Sequence, residues 1–348
     1  MLLFFNQMYS PLSEQVLRLS GQQALEPGDI IIGVNGEHVM NVPSINMLLR
    51  GKAGESVRLE VQRVTSKSKV TELRRAKMRL LKGNDDDEDI PATEPLVVVP
   101  LSSYERDELI YAAWEWKTRE RAKILAAESG FTLGYVHLQD MSGAPATNAF
   151  ARGFYPDHDK QALIVDVRHN AGGNIHSWLL DILQRKAWMY WQFRGDTDGG
   201  LMWDEHFAFR GHLVVLIDEK TGSDGEIFAR GVSELGLGKI VGKRSWGGSI
   251  GLKFDNNLVD GGIATAPEIG VYNDKYGWGM GIEQMGVVPD VEVDNNPRDA
   301  YEGEDTQLEV AISVLKEWLK NEEVVLPKNP GRPKNMSKKR KDSEGCLV

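Results

Sequence analysis

Thr221-Gly-Ser-Asp-Gly-Glu226 follows directly on the apolar run His212-Leu-Val-Val-Leu-Ile-Asp218. A buried strand that breaks at Gly222 and turns into a helix near Asp224 leaves the Ser223 hydroxyl at the strand's C-terminal edge, beside the unpaired N–H groups of the first helical turn. A serine in that position is placed for nucleophilic attack. The same residues also meet a second description. Ser223 with Glu226 three residues on is a capping box, and serine is among the preferred N-caps. The stretch departs from the G-x-S-x-G elbow, because Thr221 stands where the first glycine would be.

A second turn of interest, Arg168-His-Asn-Ala-Gly-Gly173, ends the apolar run Ala162–Val167. Its glycines let backbone N–H groups point outward, which suits a tight strand-to-helix turn, a phosphate nest or an oxyanion hole. It has neither the lysine of a P-loop nor the glycine spacing of a dinucleotide fingerprint. Together with Ser223 it offers an oxyanion hole, in which an N–H near Gly172 or Gly173 and that of Asp224 converge on a developing negative oxygen.

The elements that must position these turns read as alternating strands and helices. Leu133–Leu138, Ala162–Val167, His212–Asp218 and Lys239–Gly242 are strands; Ala146–Phe154, Ile175–Lys186 and Glu226–Leu235 are helices. Buried strands alternating with helices predict βαβ units and a parallel sheet, with sites at the C-terminal ends of the strands, where both glycine turns fall. Before them, a capping box at Ser102–Glu105 opens a long helix to about Ser129, with Leu109, Ala112, Ala113, Trp116 and Ile124 as its apolar side chains. After them, Asn257–Pro267 reads as a hairpin through Asp260-Gly-Gly262, and Asp305–Leu319 as a closing helix with Leu308, Ala311, Ile312 and Leu315 on one face.

Composition bounds the function classes. The 348 residues carry a net charge of −10 and 41% hydrophobic side chains, which suits packed cores and disfavours nucleic acid as a partner. The single cysteine, Cys346, excludes an intrachain disulfide and a cysteine-based zinc site, and fits a reducing, cytoplasmic compartment. No run approaches the ~18 apolar residues of a membrane span. Met1–Phe5 lacks the basic region and cleavage site of a signal peptide and reads as the end of a longer segment. Gly83-Asn-Asp-Asp-Asp-Glu-Asp89 is a solvated acidic boundary, without the spaced ligands of a calcium loop. Residues 327–345 read as a disordered basic tail, in which Lys338–Lys341 is a solvated stretch or an import-type patch. No cofactor or metal is expected.

Two resemblances sharpen this picture. Gly28-Asp-Ile-Ile-Ile-Gly-Val-Asn-Gly-Glu-His-Val39, then a short helix over Pro43–Arg50 and an alternating strand over Glu55–Val61, resembles a PDZ domain whose first strands and carboxylate-binding loop are short or missing. Asn35-Gly36 there is a hairpin turn that needs positive φ. Behind it, GYVHLQDM, LIVDVRHNAGG, TGSDGEIFARGVSELGLGKIVGKRSWGG and GWGMGIEQMGVVPDVEV occur in that order. This succession is similar to the C-terminal catalytic half of tricorn-type serine proteases, related to the C-terminal processing (tail-specific) peptidases.

The resemblance implies an α/β fold with a crotonase/ClpP-like ββα superhelix core after a partial PDZ-like domain. Its boundaries would be a PDZ-like unit at 1–82, an acidic linker at 83–101, a protease core at 102–325 and the tail at 326–348. It implies Ser223 as nucleophile, Asp224 and Gly173 as oxyanion-hole N–H donors, and Glu283 as the carboxylate of a Ser-His-Ser-Glu tetrad. It implies peptide substrates cleaved through an acyl-enzyme, and a homo-oligomer, a hexamer in this family. The family's histidine and its neighbouring serine belong to a helical segment before the PDZ domain, and no such Ser-His pair precedes Ser10. His169 lies in the glycine turn, and His38, His137, His158, His176, His206 and His212 lie elsewhere; Lys243 is the residue a lysine dyad would use. Trp188-Met-Tyr-Trp-Gln-Phe193 reads by composition as core or subunit interface, while the resemblance sets this segment close to the specificity pocket and so implies an apolar one. The rival readings are an inactive PDZ-plus-core scaffold and an acyl-CoA enzyme of crotonase type.

Overall fold

The computed structural model describes residues 25, 29–63, 93–191, 202–204, 207–325 and 327. The acidic run 83–89, the tail beyond 327 with Cys346, the start of the PDZ-like unit, Gln192, Phe193 and His206 lie outside the described residues. The chain divides into two compact units, Met1–Lys117 and Thr118–Val348.

In the first unit, β1 (Ile30–Val34), β2 (Glu37–His38), β3 (Val57–Gln62) and β4 (Glu94–Val98) form an antiparallel sheet in the order β2-β1-β3-β4. Asn35 and Gly36 both have positive φ (54° and 85°), as a two-residue hairpin turn between β1 and β2 demands. β3 alternates as its sequence predicts, burying Val57, Leu59 and Val61 against Val34, Ile45, Leu96 and Val98. The helix expected over Pro43–Arg50 is one turn, α1 (Asn46–Leu49). β4 lies in the stretch read as linker; Leu96 and Val98 alternate inward and give it a place beside β3.

Helix α2 (Ser103–Glu128) opens at the expected box: the Ser102 N–H donates to Glu105 Oε2 (2.9 Å) and the Glu105 N–H to Ser102 Oγ (3.2 Å). Its buried stripe differs from the expected one. Leu109, Trp116 and Ile124 are exposed, and Thr118, Ala122 and Ala126, spaced four apart, are buried. Small side chains let that part of the helix lie close on the second unit's sheet.

That sheet is wholly parallel. β5 (Leu133–His137), α3 (Gly143–Phe154), β6 (Ala162–Asp166) and α4 (His176–Leu183) lead by way of the antiparallel pair β7 (Tyr190–Trp191) and β8 (Met202–Trp203) to β9 (His212–Ile217). Helix α5 (Asp224–Glu234) and β10 (Gly238–Gly242) follow. The hairpin β11 (Gly251–Asn257)–β12 (Ile263–Ile269), the pair β13 (Tyr272–Asn273)–β14 (Gly277–Trp278), β15 (Val291–Glu292), α6 (Pro297–Glu302) and α7 (Thr306–Asn321) complete the unit. The order β15-β10-β9-β6-β5 keeps sequence neighbours adjacent. Alternation sorts the strands' side chains onto two faces. Leu163, Val165, Leu213, Val215 and Ile217 pack under α3, α4 and α5. Tyr135, Ile164, Val214, Leu216 and Val241 pack under α2 and α7. The predicted α/β class with a parallel sheet therefore holds.

Arg168 clamps the second face. Its guanidinium bonds both oxygens of Asp166 (2.6 Å at the shortest), both of Asp305 (2.8 and 2.9 Å) and Gln307 Oε1 (3.1 Å), while the Tyr135 hydroxyl donates to Asp166 Oδ2 (2.7 Å). Burial opposes the charges, but Arg168 and its hydrogen bonds hold the Asp166 carboxyl below its ordinary range. Asp166 and Asp305 in turn overcome the desolvation of Arg168 and keep it firmly protonated. The residue that ends β6 is thus tied to the start of α7, which fixes where the glycine turn begins.

Candidate active site

β6 and β9 are neighbours, so the turns that follow them lie side by side at the C-terminal edge of the sheet. Asn170, fully buried, staples them together. Its side-chain amide donates to Leu138 O (2.7 Å), its Oδ1 accepts the Gly172 N–H (2.8 Å), and its backbone O accepts the Gly222 N–H (2.8 Å). A Cβ on Gly225 would stand 3.3 Å from that same Oδ1, so the helix bearing the serine meets the other turn without clearance.

Ser223 has φ 50° and ψ −119°, a conformation L-residues adopt at a cost of about 1–3 kcal/mol and keep only where the surroundings over-determine it. The surroundings do so here. The Ser223 N–H donates to Glu226 Oε2 (3.0 Å), the preceding Gly222 is held by Asn170, and Thr221 O accepts the Trp246 N–H (2.9 Å). The capping box read from the sequence is therefore present, but Glu226 reaches further than a cap. Its buried carboxylate also accepts Ser245 Oγ (2.5 Å) and the N–H groups of Gly247 (2.7 Å) and Gly248 (2.9 Å).

Gly172 and Gly173 face this turn. A Cβ on Gly172 (φ +107°) would lie 2.6 Å from Ser223 Cβ and 3.0 Å from both Ser223 Oγ and Asp224 N. A Cβ on Gly173 would collide at 2.0 Å with the Met141 carbonyl, because Met141 pairs with this turn: its N–H donates to Gly172 O (2.9 Å) and its O accepts the Asn174 N–H (2.8 Å). Neither the Gly173 N–H nor the Asp224 N–H meets an acceptor among the described residues. Two unpaired backbone donors beside a strained serine can stabilise an oxyanion.

Glu283 lies after a short 3-10 turn over Gly279–Gly281. Its Oε2 accepts the N–H groups of Ser249 (2.8 Å) and Ile250 (3.1 Å). Oε1 has no hydrogen-bond partner among the described residues. Glu283 makes no hydrogen bond to Ser223. The segment 245–250 connects them instead, held by Glu226 at one end and Glu283 at the other.

The other candidates are placed elsewhere. Lys243 lies at the surface, half-exposed, and pairs with Asp294 (2.7 Å), whose hydrogen bond raises its pKa, so it stays a charged surface group and not a base. Among the described histidines none bonds Ser223. His169 pairs with Asp218 (3.2 Å), His137 with Arg168 O (3.1 Å), His158 with Tyr155 O (2.8 Å), His212 with Glu322 O (2.6 Å), and His38 caps the turn at Met40. His176 contacts the Asp224 carboxylate through Nδ1. Sequence reading left that contact and the loop-holding role of Glu226 unnoticed. The available signal was a histidine at the first position of a helix, three residues past the glycine turn.

An open cleft of about 550 Å³ runs beside α5, lined among others by His176, Leu180, Ile227, Val271 and Met280. Ile227 stands one turn beyond Ser223. Trp188 and Trp191, expected at such a pocket, do not line it and are exposed.

The sequence profile of peptidase family S41 matches residues 132–293, the span that contains Gly173, Ser223, Asp224 and Glu283. Residues 132–293 belong to peptidase family S41. A PDZ domain profile matches residues 20–63. The chain is homologous to tricorn proteases. It is 35% identical over 292 residues to tricorn protease homolog 1 of Streptomyces coelicolor, covering 84% of this chain and 24% of that protein. It is 37% identical over 216 residues to the tricorn protease of Thermoplasma acidophilum, covering 62% of this chain and 19% of that one. The crystal structure of the tricorn protease superposes with a TM-score of 0.66 at 30% identity, over 85% of this chain and 25% of that one. The chain thus spans about a quarter or less of the length of these relatives. No helix of the S41 domain, or of the other described residues, is long and apolar enough to cross a membrane.

Proposed function

We propose that this chain is the catalytic core of a serine peptidase that cleaves peptides through an acyl-enzyme on Ser223. The observation that carries this reading is Ser223 itself, held at positive φ on a strand-to-helix turn with the unpaired N–H groups of Gly173 and Asp224 beside it. A turn strained at this cost and held in place by its surroundings is what presenting the serine hydroxyl would call for. Ser223 Oγ attacks the scissile carbonyl carbon, the carbonyl oxygen becomes an oxyanion received by the two N–H groups, and the amine leaves with the proton taken from Ser223. Water then releases the acyl group.

Glu283, with one carboxylate oxygen unengaged, orients the base. The resemblance to tricorn-type proteases draws that base from a Ser-His segment upstream of the PDZ domain, which agrees with the lack of any histidine on Ser223 among the described residues. The largely apolar lining of the cleft along α5 favours an apolar substrate side chain next to the scissile bond. The cysteine-poor composition supports a cytoplasmic location, and the homology to tricorn proteases supports a homo-oligomer, a hexamer by resemblance.

A fluorophosphonate probe followed by peptide mapping, on the protein with the upstream Ser-His segment in place, tests the reading: Ser223 is labelled in the wild type and label and peptide hydrolysis are both lost in Ser223→Ala. An unlabelled Ser223 would leave the scaffold reading in its place. Acyl-CoA turnover that survives Ser223→Ala would favour the crotonase-type reading. In a peptide panel, apolar residues before the cleaved bond outpace basic ones.

A further inference from the structure

We propose that His176 is a positioning residue for the oxyanion hole, acting through the Asp224 carboxylate. The inference rests on the peptidase reading, since it concerns how that reading's two N–H donors are held in register.

The two donors come from segments far apart in sequence, Gly173 after β6 and Asp224 after β9. What joins them besides Asn170 is the Asp224 side chain. It is buried, and all its hydrogen bonds go to the segment just past Gly173: Oδ2 accepts the N–H groups of Ile175 (2.8 Å) and His176 (3.0 Å), and Oδ1 contacts His176 Nδ1 closely. One donor residue therefore grips, through its own carboxylate, the strand of chain that carries the other. A carboxylate surrounded only by N–H groups requires His176 Nδ1 to be the protonated nitrogen, and Nε2 then accepts the Ser177 hydroxyl (3.0 Å).

The backbone bonds alone would make Asp224 an ordinary cap for the N-terminus of α4. The imidazole adds what a cap does not need. It fixes the second carboxylate oxygen, and so the rotation of the side chain whose own backbone N–H must point at the oxyanion. The same ring lines the cleft beside Leu180 and Ile227, so a substrate side chain seated there packs against the group that sets the hole. His176 touches no reacting atom in this scheme; it positions Asp224.

The test compares wild type, His176→Phe and His176→Asn, each in the protein that carries the Ser-His segment upstream of the PDZ domain together with this chain. Each is assayed for kcat and KM on a peptide substrate and for inhibition by a peptidyl boronic acid, whose tetrahedral adduct places an oxygen in the hole. Phenylalanine fills the space and removes the donor, so kcat and boronate affinity fall together by about 10–100-fold, less than loss of an oxyanion donor outright, while KM moves little. Asparagine can donate to Asp224 and restores most of both. The inference is overturned if His176→Phe keeps kcat and boronate affinity, if only KM changes, or if Asn and Phe lose equally. Should His176→Phe fail to fold by thermal melt, His176→Ala replaces it with the same expectations. Failure of fluorophosphonate to label Ser223 in the wild type sinks the peptidase reading and this inference with it; normal labelling with an unaffected His176→Phe sinks the inference alone.

Discussion

Glu226→Gln is the substitution that measures how much holds the serine turn in its strained form. The carboxylate accepts four hydrogen bonds and donates none: Oε1 takes Ser245 Oγ and the Gly247 N–H, Oε2 takes the Ser223 and Gly248 N–H groups. A glutamine amide has one accepting oxygen, so its NH₂ must face a pair of donors. Placed toward Ser223 and Gly248 it opposes two backbone N–H groups. Placed toward Ser245 and Gly247 it opposes one, because the Ser245 hydroxyl can turn, at the expense of its present geometry with the Val287 N–H (2.6 Å). The second arrangement is the cheaper, and it forfeits two hydrogen bonds to a charged group, about 1.5–3 kcal/mol each, partly recovered at Ser245. We expect a net loss of about 3–4 kcal/mol, which the usual 5–15 kcal/mol of a domain survives at 25 °C. For a unit of this size it corresponds to a fall in Tm of about 6–16 °C. Urea unfolding with an unchanged m-value, and calorimetry, read it directly. A Glu226→Gln protein within about 1 kcal/mol of wild type would refute the account of the carboxylate as the joint between the serine turn and the segment 245–248.

Gly172→Ala adds a Cβ 2.6 Å from Ser223 Cβ at φ +107°, and kcat/KM should drop by up to about 100-fold for a displacement of about 1 Å; steady-state kinetics on the folded variant that match wild type would contradict the close packing. The Asp166 carboxyl has a lower pKa folded than unfolded, so its contribution to stability is complete above its ordinary value of 3.8 and is lost as pH falls through the lower folded value. Stability measured from pH 6 down to pH 2 should show an acid loss that Asp166→Asn diminishes, together with a penalty at neutral pH for leaving Arg168 short of a partner. Lys243→Met should leave peptide hydrolysis and the thermal melt essentially unchanged, since the pair with Asp294 is solvent-screened; loss of activity would reinstate Lys243 as a functional group.

What could be read from the sequence was local. Asn35-Gly36 demands positive φ whatever surrounds it, Val57–Val61 alternates, and Ser102–Glu105 closes on itself within one turn. The succession of apolar strands also gave the parallel sheet, and through it the neighbourhood of the two glycine turns, because parallel neighbours bring their C-terminal ends to one edge. The stripe of α2 was misread for a physical reason: hydrophobicity favours Leu109, Trp116 and Ile124, whereas a helix lying close on a sheet selects small residues, and Ala122 and Ala126 carry little hydrophobic signal.

The site divides along the same line. Ser223 and the glycines announce themselves by type and spacing, but nothing in the spacing tells that Glu226 closes on a loop 19–22 residues later, or that Asp224 pairs with His176 48 residues earlier. Those are the bonds that set the geometry. A Ser-Asp-Gly-Glu run is a helix cap when its acids face solvent or the local N–H groups alone. Here both acids are buried and turned outward from the helix, Asp224 toward the turn after β6 and Glu226 toward the segment after β10. Each ties the serine's helix to a neighbouring strand's exit, which a cap has no reason to do and which the proposed role of Ser223 as nucleophile calls for.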